Sequence, residues 1–376
     1  MISPQSFYET LVACGIDFFT GVPDSLLKNL CAYITDHADR DHHIIAANEG
    51  GAMGLAAGHY LATGRIAAVY LQNSGEGNII NPLASLTDPD VYGIPVLLII
   101  GWRGQPGVHD EPQHTKQGKV TTDLLDVMGV EYAVLAKDEA KALEQVREAA
   151  ARMRATSRSY ALVVEKDTFE GYVQSSQTEA PQFPMSREEA VRTVAAAAGE
   201  TDVIVSTTGM ISRELFEYRA AEGQSHRQDF LTVGSMGHAS QIALGIALEK
   251  PERRVWCFDG DGAAIMHMGS LAIVASKAPA NFIHIVFNNG AHDSVGGQPT
   301  VGLKIDLPAV ARAVGYKSAS SVADRSGLEA VLAEAVKQQG PAFIEIKVRK
   351  GNRKDLGRPT TTPAQNKAAF MDFLEG

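Results

Sequence analysis

The 376-residue chain is short of cysteine, of basic charge and of long apolar runs, and each shortage excludes something. Its three cysteines, Cys14, Cys31 and Cys257, form no C-x-x-C pair and are odd in number. That argues against a disulfide framework or a cysteine zinc site and for a reducing, cytoplasmic setting. Lysine and arginine total 34 against 44 aspartate and glutamate, a net charge of −10. A nucleic-acid-binding protein shows the opposite footprint, a basic domain or stripe. The longest apolar run, Ile94–Ile100, falls far below the roughly 20 residues that span a bilayer. The first residues, MISPQSFYET, lack the basic start and apolar stretch of a secretory signal. What remains is ordinary globular composition, 45% apolar and 21% charged, at a length that suits two or three domains.

Short apolar runs alternate with helical patterns. The runs are Ile16–Phe19, Ile44–Ala47, Ile66–Leu71, Val96–Ile100, Ala161–Val164, Val203–Val205, Arg254–Phe258, Phe282–Phe287 and Phe343–Ile346. Strands buried on both faces look continuously apolar, so the pattern predicts an α/β protein with parallel sheets flanked by helices. Residues 138–154 carry a helix pattern with apolar residues on one face. Residues 166–185 are polar, contain Pro181 and Pro184, and read as a linker. Ser186 and Glu189 have capping-box spacing at the start of a new helix. The reading divides the chain into domains 1–165 and 186–350 and a tail, 351–376, that holds a short helix candidate. The halves look alike. Gly51-Ala-Met-Gly54 recurs as Gly234-Ser-Met-Gly237, and Ser74-Gly-Glu-Gly77 as Asp259-Gly-Asp-Gly262, at offsets of 183 and 185 residues. Neither half contains G-x-G-x-x-G, so a dinucleotide fold is not supported.

Gly260-Asp261-Gly262 follows one expected strand, and Asn288-Asn289-Gly290 ends the next. Both strand ends belong at the carboxyl edge of a parallel sheet, where α/β proteins bind ligands. Asp261 and Asn288 then offer hard oxygen ligands suited to Mg²⁺ that also takes phosphate oxygens. The N–H groups of Gly262 and Ala263 would face those phosphates at a helix start.

The stretch from Gly260 to Asn289 resembles the thiamine diphosphate signature of decarboxylases and transketolase-like enzymes. The resemblance implies two domains of that cofactor-binding fold, with no room for a middle domain. It implies that Asp261, Asn288 and the Gly290 carbonyl hold Mg²⁺ on the diphosphate, with Gly260, Gly262 and Ala263 around it. Thr208, Gly209, Gly234 and Ser235 fall in the family's other contact segments. Met236 is implied as an apolar wedge under the cofactor, the alternative being a core methionine. His238 either contacts the cofactor or starts a helix, and His292 and Ser294 lie where they would touch diphosphate or substrate. Asn48-Glu49-Gly50 looks like the pyrimidine-binding segment, in which Glu49 hydrogen-bonds the aminopyrimidine and activates the cofactor. On its own segment alone, Glu49 reads first as a helix-start carboxylate favoured by the macrodipole. Asn78 is placed in the same site. In this family each site forms between the pyrimidine domain of one subunit and the diphosphate domain of another, which implies at least a homodimer.

Thiamine diphosphate supplies the electron sink, so substrate choice falls to the protein. Residues 101–119 carry Arg103, His109, His114, Lys116 and Lys119 in an acidic chain, and read as a long irregular loop. Arg103, Lys116 and Gln113 are candidates for holding an anionic substituent. His109 or His114 would donate a proton, unless the loop is simply solvated. Asp24 and Ser25, in Gly21-Val-Pro-Asp-Ser25, are either proton-handling groups or helix N-caps. The segments GVPDSLLKNLC, GWRGQPGVHDEPQHTKQGK and NNGAHDSVGGQPT are similar to those of phosphonopyruvate decarboxylases, a branch of that family. This implies decarboxylation of 3-phosphonopyruvate to 2-phosphonoacetaldehyde in phosphonate biosynthesis. Sulfopyruvate decarboxylation and a non-catalytic cofactor-binding module are the alternatives.

Overall fold

The structure, a computed structural model, describes residues 1–175 and 183–376. Two compact units divide the chain, Met1–Thr178 and Glu179–Gly376. The central part of the expected linker, residues 176–182, lies outside the described residues. Its start is ordered packing. Ile2 N donates to Thr168 O at 2.8 Å, and Phe169 packs edge-on against Phe7 with ring centroids 5.1 Å apart.

The first unit is a parallel sheet of β1 (Phe19–Gly21), β2 (His43–Ile45), β3 (Ala67–Gln72), β4 (Val96–Gly101), β5 (Glu131–Val134) and β6 (Tyr160–Val164). The strands lie in the order β2-β1-β3-β4-β6-β5. Its helices are α1 (Pro4–Ala13), α2 (Lys28–His37), α3 (Glu49–Thr63), α4 (Glu76–Pro82), α5 (His114–Val127) and α6 (Glu139–Thr156). One apolar layer gathers Phe7, Leu11, Leu30, Val146 and Met153. The other gathers Ala52, Met53, Ala56, Leu83 and Leu125. With a layer on each face, β4 has no residue that can afford polarity, and all six of its residues are buried.

The second unit holds β7 (Val203–Ser206), β8 (Asp229–Leu231), β9 (Val255–Gly260), β10 (Phe282–Asn288), β11 (Ser318–Val322) and β12 (Ala342–Lys347). Their order is β11-β12-β10-β9-β7-β8. Read from β8, each strand is the counterpart of one in the first sheet, in the same order and all parallel. The internal sequence similarity therefore reflects a repeated fold. The helices are α7 (Arg187–Ala197), α8 (Met210–Ala221), α9 (Ala239–Glu249), α10 (Asp261–Met266), α11 (Gly269–Lys277), α12 (Leu307–Val314), α13 (Arg325–Ala335) and α14 (Pro363–Glu375). The capping box is present: Glu189 N donates to Ser186 Oγ at 3.2 Å, and Ser186 N to Glu189 Oε2 at 2.7 Å.

Two sequence expectations change. Residues 101–119 are not one irregular loop, because α5 begins at His114. Its buried stripe is His114, Gly118, Thr121 and Leu125, correct helical spacing but mostly not apolar, so periodicity could not reveal it. The tail helix α14 docks on the edge strand β8. Asn366 Oδ1 accepts from Leu231 N at 3.0 Å and its Nδ2 donates to Asp229 O at 2.8 Å. A side-chain amide thus occupies backbone groups that an open sheet edge would leave bare. Among the described residues no helix is long and apolar enough to cross a membrane.

Candidate active site

Glu49 is the first residue of α3, whose N-cap Asn48 accepts from Gly51 N at 2.8 Å. The helix start places the carboxyl where strand β2 ends, and it is only 5% exposed. Asn78 Nδ2 donates to Glu49 Oε2 at 2.6 Å. Gly75 lies against the other oxygen, and a Cβ there would overlap Oε1. The two segments singled out in the sequence, 48–54 and 74–78, therefore meet through one carboxylate. The absence of a side chain at Gly75 leaves it room, and the amide of Asn78 sets its direction.

A second group gathers at the carboxyl edge of the same sheet. Asp24 is fully buried, and its burial raises its pKa. Gln72 Nε2 donates to Asp24 Oδ1 at 2.7 Å, and Leu26 N to Oδ2 at 2.8 Å. Arg103 Nη1 donates to Ser25 Oγ at 2.7 Å, while its fork closes on Asp110, Nε reaching Oδ2 at 2.7 Å. Asp110 also accepts from Gly104 N at 2.8 Å. Arg103 is thus not the open cation that the basic loop suggested; a carboxylate already fills its bidentate face. His114 is buried, and burial with the nearby Arg103 charge pushes its pKa down to about 4. A neutral imidazole at pH 7 is a poor proton donor. His109, Lys116 and Lys119 are exposed and are not brought to this group, and the half-buried Gln113 keeps one oxygen unpaired.

Sequence reading missed the residues that hold the group together. Asn73 Nδ2 donates to Arg103 O at 2.8 Å and Thr121 Oγ1 at 2.9 Å. Gln117 Nε2 donates to Asn73 O at 2.7 Å and Glu76 Oε2 at 2.9 Å. Glu76 is 2% exposed and burial pushes its pKa up to about 8. These polar residues tie α5 to the turn that cradles Glu49. Only their position after a strand could have flagged them.

In the second unit the register pairs Gly260 with Phe287, which sets Asp261 beside Asn288 one residue on. Both are buried. Asn288 Nδ2 donates to Glu345 Oε1 at 2.7 Å and to Gly302 O at 2.8 Å, which fixes Oδ1 as the acceptor; it takes Gly290 N at 3.1 Å and keeps a second lone pair. A Cβ on Gly302 would come within 2.6 Å of Asp261 Oδ2 and 2.8 Å of Asn288 Oδ1, so the two oxygens converge on one point. The Gly290 carbonyl accepts from Thr300 N at 2.9 Å, and Thr300 Oγ1 donates to Asp261. Burial pushes the Asp261 carboxyl up to about 6. A buried carboxylate beside a directed amide oxygen is a hard-oxygen set that a divalent cation would compensate. The residues fit the implied metal.

The expected diphosphate contacts surround this point. Gly260 caps α10, and a Cβ on Gly262 would lie 3.0 Å from His292 and 3.5 Å from the Met236 methyl. Gly234 N donates to Thr208 Oγ1 at 3.2 Å, and Gly234, Ser235 and Gly237 all have positive φ. Ala263 is buried just inside α10. Thr207, 3% exposed, has a hydroxyl with no partner, as a loop awaiting a polar ligand should. Burial pushes His292 down to about 4. His238 is exposed at the start of α9, its Nδ1 3.1 Å from Met236 O. Beneath the turn, Cys257, Asp259 and His284 lie within 4.8 Å of one another. His284 hydrogen-bonds to Asp259 Oδ2 at 3.1 Å and to the Tyr316 hydroxyl at 3.2 Å, which couples β9 to β10.

Residues 4–127 match the model of the N-terminal thiamine pyrophosphate-binding domain of thiamine pyrophosphate enzymes, and residues 207–346 match that of the C-terminal one. A phosphonopyruvate decarboxylase of Streptomyces viridochromogenes is 36% identical over 389 residues, covering 100% of this chain and 95% of that protein. One of Streptomyces hygroscopicus is 37% identical over 390 residues, covering 99% and 94%. A sulfopyruvate decarboxylase of Methanosarcina acetivorans is 28% identical over 396 residues, covering 100% and 98%.

Proposed function

The chain belongs to the thiamine pyrophosphate enzyme family, and from that premise we propose that it decarboxylates 3-phosphonopyruvate to 2-phosphonoacetaldehyde and CO₂. The observation that carries this reading is full-length similarity to two phosphonopyruvate decarboxylases in a chain that keeps both a buried helix-start glutamate and the Asp261–Asn288 oxygen pair. Bound thiamine diphosphate supplies the nucleophile and electron sink for loss of CO₂. Asp261, Asn288 and the Gly290 carbonyl would hold Mg²⁺, which would offset the charge of the diphosphate. The N–H groups at Gly262 and Ala263 and the side chains of Thr208 and His292 would receive the phosphates, and Gly234, Ser235 and Met236 would line the ring. Glu49 would share a proton with a ring nitrogen of the aminopyrimidine, and Asn78 Nδ2, donating to Oε2, keeps the carboxyl aimed. Burial strengthens that contact and keeps water off it. Asp24 and Ser25, oriented by Gln72 and Arg103, handle the proton that replaces the lost carboxylate. The assembly is at least a homodimer, with Glu49 of one copy serving the diphosphate domain of another. Free cysteines support a cytoplasmic setting.

Purified protein with Mg²⁺ and thiamine diphosphate should release CO₂ and phosphonoacetaldehyde from phosphonopyruvate. The second reading, a sulfopyruvate decarboxylase, is favoured by the Methanosarcina relative. The two acids differ at one substituent, so kcat/KM for each decides between them. A preference for sulfopyruvate overturns the proposal.

A further inference from the structure

Arg213 is half-buried on α8, four residues beyond the N-cap Gly209. Among the described residues it has neither an ion-pair partner nor a hydrogen-bond acceptor. Its neighbours on α8 are all engaged: Glu214 takes the fork of Arg187 at 2.9 Å, and Glu217 pairs with Arg353 and with Gly357 N. Burial lowers the pKa of Arg213, whereas contact with carboxylates raises that of Arg103. A half-buried guanidinium with no counter-charge is left free to take an anionic ligand.

Its position says which ligand. Helical side chains lean toward the N-terminus, so Arg213 stands over Gly209 and Met210. Those residues adjoin the cofactor loops. A Cβ on Gly209 would have Ser294 Oγ 3.8 Å away, and one on Gly260 would have Ile211 Cδ1 3.6 Å away. Thr208 meets Gly234. Ile211, Ser212, Glu214 and Leu215 are buried, so Arg213 lies on the less buried face of α8 with Met210 and Glu217, one turn from Gly209. The N-cap Gly209 offers no side-chain acceptor, so the first turn of α8 adds positive potential at that end. The proposed reaction offers three oxyanions, the cofactor diphosphate, the substrate carboxylate and the substrate's anionic substituent; pyruvate shares the carboxylate, so the comparison with pyruvate separates the last two. The diphosphate already has the Gly262–Ala263 turn and the metal set. Arg103, the other candidate cation, is closed on Asp110.

We propose that Arg213 is a specificity-determining residue that binds the terminal oxyanion of the substrate, the group that distinguishes it from pyruvate. This rests on the reaction proposed above. A planar guanidinium suits a phosphonate or sulfonate face, and its low exposure gives the contact more strength than a surface lysine would.

The test uses the holoenzyme and its Arg213→Gln and Arg213→Lys variants, with phosphonopyruvate, sulfopyruvate and pyruvate as substrates. Loss of one charge-assisted contact should raise KM for the anion-bearing acid by about ten- to a hundredfold in Arg213→Gln. kcat, slow pyruvate turnover and thiamine diphosphate affinity, read by fluorescence titration, should stay within a few-fold. Arg213→Lys should recover part of the KM. Equal losses on pyruvate and on the anionic acid overturn the proposal, as does an unchanged KM. Weakened cofactor binding with unchanged KM also overturns it, since that places Arg213 on the diphosphate. If the wild type prefers sulfopyruvate, the substrate assignment falls, but the same KM ratio measured against pyruvate still decides the role of Arg213.

Discussion

Glu76 gives the sharpest test of the network around the first unit's site. Its carboxyl is 2% exposed; Oε2 accepts from Gln117 and Oε1 has no partner. Burial moves its pKa from 4.5 to about 8. Between those values the folded protein keeps a proton that the unfolded chain has released. Each rising pH unit in that window therefore costs about 1.4 kcal/mol of stability. The stabilisation is complete below pH 4.5 and gone above about 8, a span that amounts to about 5 kcal/mol before local relaxation. Glu76→Gln keeps the shape and an acceptor for Gln117 but removes the charge. It should match the wild type near pH 5 and exceed it by about 3–5 kcal/mol at pH 8. Cofactor-free protein is unfolded in urea at both pH values and followed by Trp102 fluorescence, with Trp256→Phe in both proteins. Trp102 is a local reporter because its Nε1 donates to Gly118 O at 2.7 Å, beside Gln117. Equal pH slopes in the two proteins would refute the argument.

Glu49→Gln should still bind thiamine diphosphate, by calorimetry, yet lose decarboxylation by several orders of magnitude; unchanged turnover removes Glu49 from the mechanism. Gly75→Ala forces a methyl into Glu49 Oε1. It should cost about 1–3 kcal/mol in chemical denaturation and displace the carboxylate, lowering kcat without changing Mg²⁺ affinity. Glu345→Gln offers an amide that competes for the orientation of Asn288. Metal affinity, read as the Mg²⁺ dependence of cofactor binding, should fall about ten- to a hundredfold. An unaltered titration would mean that Asn288 Oδ1 does not face the ion.

What the sequence revealed and what it concealed follow from burial. Strands β3, β4, β9 and β10 are covered on both faces, so AAVYLQ, VLLIIG, VWCFDG and FIHIVFN are apolar enough to stand out. Edge strands β5, β8 and β11 were missed. EYAV, DFL and SASSV keep polar residues because one side of each lacks a neighbouring strand. Glu49, Asp261 and Asn288 could be singled out as candidates because each stands where a strand passes to a turn among glycines. Glu345 was not: it sits inside β12 between Ile344 and Ile346, and its importance comes only from Asn288 on the paired strand. Asp110 lay in plain view within the basic loop, but a one-dimensional reading counts charges without pairing them.

That last difference changes how an acidic protein is expected to meet an anionic substrate. A count over residues 101–119 suggests a cationic patch. In the fold, Arg103 is closed on Asp110, His114 is neutral at pH 7, and Lys116 and Lys119 lie in solvent. Exposed lysines contribute little to binding a small anion, because water and salt screen them. What counts is a cation whose desolvation has already been met by folding and whose counter-charge is missing. A local surplus of basic residues is therefore a weaker sign of an anion site than one half-buried guanidinium without a partner, and in this chain the second criterion selects Arg213 from a helix whose net composition gave no sign of it.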